Sequence, residues 1–334
     1  MQDYSTVIFL GNGYDVASGY KTKYSDFFKD DLFKELCKKD NRLAQFIDEA
    51  NQKKGADNWS DLEEELFNYS CYLTKIKSNG DPPNLKLPEG KKAWDYNENE
   101  KSILSNQNFL ADFKDLQDCL GKFILKQTQT SKHTYDQNQE SLKFLTRDWL
   151  DEDESTLVIS FNYTDLFYGT HTKSEMLFVH GSIKTLVRDK NSNKLEPYGQ
   201  TSTNNIVIGI DEEMKVETAH SFLYKSYNEK TNIHQLSSVL DHAKRFILFG
   251  CSLGISDRWY FEKIFNRQQS GKIYEIYHYG IDDQLSINSR IKEISKDNIA
   301  DYKERNSILY LDSSSLEGAL AKRKEYYTEY PFKP

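Results

Sequence analysis

Residues able to bind or transform a ligand collect just after short apolar runs. Gly11, Asn12, Gly13 and Asp15 close or follow the run 6–11, Asn162 and Asp165 follow 156–160, and His180 and Gly181 close or follow 176–180. Asp211 follows 205–209, and Gly250, Ser252 and Asp257 close or follow 245–250. The residue types define the chemistry on offer. An asparagine amide orients a water or a sugar hydroxyl but cannot take a proton. Histidine can, because its ordinary pKa of about 6.5 lets it act as a base near neutrality. The glycine turn from Gly11 to Gly19 would let backbone N–H groups approach a pyrophosphate at the start of a short helix. Gly250 and Ser252 would offer backbone and hydroxyl donors to a phosphate or a ribose. Each feature also has a plain structural role. Glycines serve turns, a histidine can close a strand end, and Asp165 or Asp257 can cap the helix that follows.

Only a shared sheet can bring these positions together. Open parallel α/β sheets bind ligands outside the carboxyl ends of their strands, and the five runs are short and apolar, as buried strands are. Further strands are expected at 272–280 and 307–312, with a crossing helix over 221–244. Residues 27–150 read instead as amphipathic helix, broken by Gly and Pro at 79–84 and 88–90. The expectation is therefore one α/β domain over 1–334, doubly wound on a mostly parallel sheet, with a large helical insertion at 27–150 after the first strand. An ordinary dinucleotide-binding unit would supply a second strand and a ribose-binding acid about 20 residues after the glycine turn. Residues 24–36 have helical spacing instead. Ser60 and Glu63 form a capping-box pattern; capping is the simpler role for Glu63, with Trp59, Asp61 and Glu63 as secondary pocket candidates.

Composition narrows the class. The 334 residues suffice for a large core, and 22 Tyr with 19 Phe offset the modest aliphatic content and argue against disorder. A net charge of -8 disfavours a dedicated nucleic-acid binder. Cys37, Cys71, Cys119 and Cys251 form no C-x-x-C pair, so neither a zinc ribbon nor a disulfide framework is signalled and no metal site is expected. No signal-peptide pattern precedes the first run, and no apolar stretch approaches the ~20 residues that cross a bilayer. A cytoplasmic protein without membrane contact is the resulting expectation.

Four motifs occur in a fixed order. They are Gly11-Asn-Gly13-Tyr-Asp15 through Gly19 and Asp26-Phe27, then Ser160-Phe-Asn-Tyr-Thr-Asp165, then Val179-His-Gly-Ser182, and last Phe249-Gly-Cys-Ser-Leu-Gly-Ile-Ser-Asp257. Together they resemble the AbiH family, bacterial proteins associated with abortive infection by phage. Trp59-Ser-Asp-Leu-Glu63 resembles a further piece of that pattern. More distantly, the order is similar to the sirtuin-like NAD-binding fold. That likeness implies a Rossmann/sirtuin-like sheet and NAD as substrate or ligand rather than as a prosthetic group. It implies Gly11, Gly13, Gly19, Gly250 and Ser252 as nucleotide-binding residues, with Asn162 and His180 at the scissile nicotinamide–ribose bond; their places at strand ends add Asn12, Asp15 and Asp257 as nucleotide-binding candidates, and Asp165, one residue past the expected acid, as a catalytic one. There are departures: the acid expected two positions after Asn162 is Thr164, and the zinc-binding cysteine pairs of deacylating sirtuins are missing, so protein deacylation is not implied. The function implied is a phage-defence effector that hydrolyses NAD to nicotinamide and ADP-ribose; the rival is a non-catalytic nucleotide sensor or interaction module. Its expected partners are further copies of the chain or a phage-derived trigger. A bulky residue at Gly13 is expected to weaken nucleotide binding while leaving the fold largely intact.

Overall fold

The computed structural model describes residues 4–54, 62–79, 90–92, 95–130, 137–150, 155–164, 174–183, 187–188, 195–196, 203–227, 233–254, 257–296 and 299–331. The chain divides into two compact units. Unit one comprises Met1–Lys21, Gln127–Thr201 and Lys230–Pro334; unit two comprises Thr22–Lys126 and Ser202–Glu229.

Unit one begins with β1 (Thr6–Leu10) and α1 (Asn12–Ala17). The chain then supplies unit two with α2 (Tyr24–Lys29), α3 (Asp31–Lys38), α4 (Arg42–Lys54), α5 (Leu62–Asn79) and α6 (Glu98–Thr130), the last up to Lys126. The helical spacing over 24–36 resolves into two helices because Asp30 interrupts it: its backbone is extended and its carboxylate accepts from the Leu32 amide at 3.0 Å, an N-cap. Phe27, Phe33 and Phe123 form an aromatic cluster in this unit's core.

Residues 205–209, expected as a sheet strand, fall in unit two and make no ladder. After a 3₁₀ turn at Thr203–Asn205, Ile206, Val207 and Ile208 are buried, and only Ile210 forms a bridge, with Tyr224. A short buried apolar run has the same composition whether or not its backbone pairs. Asp211 is therefore not carried by a strand of the sheet.

Unit one resumes with α7 (Gln137–Leu150), β2 (Thr156–Ser160), β3 (Glu175–Phe178) and a small antiparallel pair, β4 (Val187–Arg188) and β5 (Leu195–Glu196). The helix expected over 221–244 is instead two 3₁₀ turns, Thr218–Leu223 and Lys225–Tyr227, followed by α8 (Ile233–His242). The remainder is β6 (Arg245–Phe249), α9 (Arg258–Phe265), β7 (Ile273–His278), α10 (Gly280–Ser295), α11 (Ile299–Arg305), β8 (Ser307–Asp312) and α12 (Leu316–Glu329).

The large sheet has the order β3-β2-β1-β6-β7-β8, and every neighbouring pair is parallel. Counting only its own strands, this is the 3-2-1-4-5-6 order of doubly wound nucleotide-binding sheets, and the direction of winding reverses between β1 and β6. Helices cover both faces, which is why the strands read as continuous apolar runs rather than alternating ones. On one face Val7, Phe9, Leu157, Ile159, Phe246 and Leu248 meet Leu240, Phe261, Ile264 and Ile291 from α8, α9 and α10. On the other, Ile8, Leu10, Val158, Met176, Ile247 and Phe249 meet Tyr14, Leu145, Trp149 and Leu316 from α1, α7 and α12. No described helix is long and apolar enough to cross a membrane.

A charge network is sealed inside this unit. Glu275 on β7 is fully buried and accepts from Arg245 Nε at 2.7 Å, Arg323 Nε at 2.8 Å and the Tyr327 hydroxyl at 2.6 Å. Burial alone would raise its pKa, but the two guanidinium groups and the Tyr327 hydroxyl outweigh that and hold it below the usual carboxylate value. The network therefore contributes stability above the unfolded-state pKa of a glutamate, and that contribution is lost as pH falls through the lower, folded value. Removing one partner leaves buried charge uncompensated. Glu275→Ala should cost about 3–5 kcal/mol in denaturant-induced unfolding and flatten the acid limb of the stability–pH profile; an unchanged midpoint would show that α12 docks without this network.

Candidate functional site

The carboxyl ends of four strands stand level. Leu10 of β1 is in register with Ser160 of β2 on one side and Phe249 of β6 on the other, and Ser160 is in register with Phe178 of β3. The loops that follow these four residues carry every sequence-predicted site position in unit one.

At the β1/β6 reversal the loops touch through glycine. The Gly11 amide donates to the Phe249 carbonyl at 2.9 Å and the Gly13 amide to the Gly250 carbonyl at 3.2 Å. A Cβ on Gly13 would lie 2.4 Å from Gly250 Cα, and one on Gly11 2.2 Å from the Gly250 oxygen. Gly250 also sits at φ +66°, in the left-handed region. These glycines are thus required by backbone contact, and the Gly13 amide expected to meet a pyrophosphate already has an acceptor. Gly19, at φ +87°, ends α1. Asn12 is half-buried on the first residue of α1, whereas Ser252 is exposed.

The β1 and β2 loops are joined by a buried carboxylate. Asp15 is 2% exposed; it accepts from Asn162 Nδ2 at 3.0 Å, and the Thr164 hydroxyl lies 2.8 Å and 2.9 Å from its two oxygens. The Asn162 backbone amide donates to the Ser160 hydroxyl at 3.2 Å, which fixes the turn from below. With its amide nitrogen committed to Asp15, Asn162 has its other polar atom, Oδ1, buried and without a hydrogen-bond partner among the described residues. Such an orphan acceptor costs about 1–3 kcal/mol unless a donor reaches it. The position where a sirtuin-like pattern expects an acid is therefore occupied by a threonine that binds an acid from the first loop.

His180 forms the second cluster. Its Nδ1 lies 3.1 Å from the Phe161 carbonyl, which only accepts, so Nδ1 carries a proton; its Nε2 lies 2.8 Å from Asp257 Oδ1. With both ring nitrogens facing acceptors, the histidine and the carboxyl share a proton along the Nε2–Oδ1 axis. The Phe161 and Tyr163 rings stand 5.5 Å and 6.2 Å from the imidazole and hold it in place. Asp257 is the N-cap residue of α9, yet its side chain makes no cap hydrogen bond. It spends its oxygen on His180 instead, and it is the more exposed of the two, 18% against 8%. Cys251 beside it is buried, 3.6 Å from the Phe249 carbonyl, and burial raises its thiol pKa, which leaves it unreactive.

The structure thus brings together Asp15 with Asn162, His180 with Asp257, and Gly11 and Gly13 with Gly250. Asp165, Trp59, Ser60 and Asp61 lie outside the described residues. Glu63 belongs to unit two, where it accepts from the Tyr24 hydroxyl at 3.3 Å and stands 3.4 Å from Lys225 Nζ. Sequence reasoning did not anticipate Thr164 as a partner of Asp15, nor the pairing of His180 with Asp257, which are 77 positions apart.

The expectation that a bulky residue at Gly13 would spare the fold is corrected by the Gly250 contact. Gly13→Ala should lower stability by roughly 1–3 kcal/mol, as overpacking does, before any ligand is added; a melting temperature equal to the parent's would show that the two loops separate freely. No curated protein matches the chain closely enough to count as a relative. The family described as Bacteriophage abortive infection AbiH matches residues 7–279, most of the chain, so the protein belongs to the AbiH family and its role lies in abortive infection by bacteriophage.

Proposed function

We propose that the chain is the effector of that response, binding NAD at the carboxyl edge around β1, β2 and β6 and hydrolysing it to nicotinamide and ADP-ribose. The observation that carries the reading is the orphan Oδ1 of Asn162, a buried acceptor at the loop end where doubly wound sheets receive nucleotides. A ribose hydroxyl or an ordered water is the donor it lacks.

In this reading the reaction needs little from the protein beyond placement. The C1′–N bond breaks with its electron pair leaving on nicotinamide, water adds to C1′, and the proton that water sheds must be received. Asn162 orients the water or the hydroxyl next to C1′. Asp257 receives the proton, and His180 positions its carboxylate through Nε2. This departs from the simplest expectation, in which a free imidazole is the base: with both nitrogens of His180 turned to acceptors, the more exposed Asp257 is the group a ligand meets first. Asp15 holds Asn162 in its rotamer. Ser252, exposed at the β1/β6 reversal, rather than the amide of Gly13, is the group placed to meet phosphates.

A second reading, a nucleotide sensor without turnover, draws on the Gly13–Gly250 contact, which fills the space a close pyrophosphate would use. Turnover separates the two. Protein taken from resting and from phage-infected cells should release nicotinamide from NAD, and Asp257→Asn and Asn162→Ala should each lower the rate at least ~100-fold, the usual scale for loss of general acid–base help. The melting temperature of each variant is measured alongside. NAD binding without release in either preparation would favour the sensor, and full phage protection by a folded Asn162→Ala protein would remove the catalytic assignment.

A further inference from the structure

Further along the same sheet edge, β7 and β8 end beside a cavity of about 280 Å³ that shares no residue with the site above. It is lined by His278, Gln284, Tyr310, Asp312, Ser315 and Lys322, closed on one side by Gly318 and Ala319 of α12. His278 is more than nine-tenths buried and lines it. Its Nδ1 donates to the Gly280 carbonyl at 2.8 Å, so Nε2 is left as an acceptor, and no hydrogen bond satisfies it among the described residues. The Gln284 amide likewise has no partner there.

The polar groups are matched in charge. Asp312 Oδ1 accepts from the Gly280 amide at 3.1 Å and the Ser314 amide at 2.9 Å, and the Ser314 hydroxyl also bonds the carboxylate, whose remaining lone pairs can still accept from a ligand. Burial raises the Asp312 pKa, but hydrogen bonds from Ser314 and Gly280 together outweigh it and hold the carboxyl below its usual value. Lys322 Nζ uses one hydrogen on the Tyr310 carbonyl at 2.8 Å and has others to give. A carboxylate repels phosphates and an ammonium repels cations, so the cavity suits a neutral ligand rich in hydroxyls. The Tyr310 and His278 rings, 6.3 Å apart and edge to face, together with the Ala319 methyl, supply apolar walls for a flat ring.

We propose that this cavity is a second ligand site, for an uncharged nucleoside whose ribose hydroxyls meet Asp312 and His278 and whose base lies against Tyr310. Its volume is at the lower end of small-molecule pockets, which accommodates one nucleoside and excludes a dinucleotide. The site is independent of the NAD reading, since it shares no residue with the loops after β1, β2, β3 and β6.

Calorimetric titration of the full chain with adenosine, guanosine, cytidine and uridine tests this. At least one should bind, and Asp312→Asn, which keeps the Oδ1 acceptor for both amides but removes the second carboxylate oxygen, should weaken it about tenfold. Gln284→Ala should weaken the same nucleoside with the melting temperature unchanged, and Asn162→Ala should leave it alone. Failure of all four nucleosides to bind, or equal binding by both cavity variants, would overturn the proposal. So would tighter binding of the 5′-monophosphate or of inorganic phosphate than of the nucleoside, because either would make this an anion site.

Discussion

A carboxylate buried to 2% exposure must find hydrogen-bond donors, and the way Asp15 finds them organises the edge of the sheet. Its donors come from Asn162 and Thr164, on a loop reached only after the chain has passed through unit two and returned. That requirement fixes the β2 loop against the β1 loop, sets the rotamer of Asn162 and leaves Oδ1 as the one polar atom of that side chain without a partner among the described residues. The same chain segment supplies the Phe161 carbonyl that fixes the tautomer of His180. One buried charge thereby governs the presentation of two clusters.

The other sealed carboxylate, Glu275, is a useful contrast. It lies midway along β7, away from the strand ends, and is compensated by two guanidinium groups and a phenol. Such a group is closed to ligands and serves to dock α12 on the sheet. Asp15 is met by the neutral side chains of Asn162 and Thr164, and it stands among loops whose backbones approach closely at Gly13 and Gly250. Buried charge in this protein therefore does two jobs, locking a helix in the middle of the sheet and aligning side chains at its edge.

Much of the sheet was legible in the sequence because its strands are covered on both faces and so read as unbroken apolar runs. The run at 156–160 coincides with β2 residue for residue, and the run at 245–250 extends past β6 only by Gly250. The run at 205–209 failed for the same reason that the others succeeded: burial sets composition, whereas pairing depends on where the backbone lies, and Ile206, Val207 and Ile208 are buried without a ladder. The glycines at 11, 13 and 250 were visible as a pattern, but nothing local reveals that they touch one another. Asp257 looked equally suited to capping α9 or to binding a ligand; its partnership with His180 is a long-range contact that spacing cannot encode.

The proposed hydrolysis requires the nucleotide to lie across Asn162 and Asp257. A crystal structure of the protein soaked with a non-hydrolysable NAD analogue tests it most directly. The account predicts a ribose hydroxyl, or a water next to C1′, within hydrogen-bond distance of Asn162 Oδ1, with Asp257 facing the same ribose. An analogue bound elsewhere while Oδ1 of Asn162 stays without a donor would contradict it.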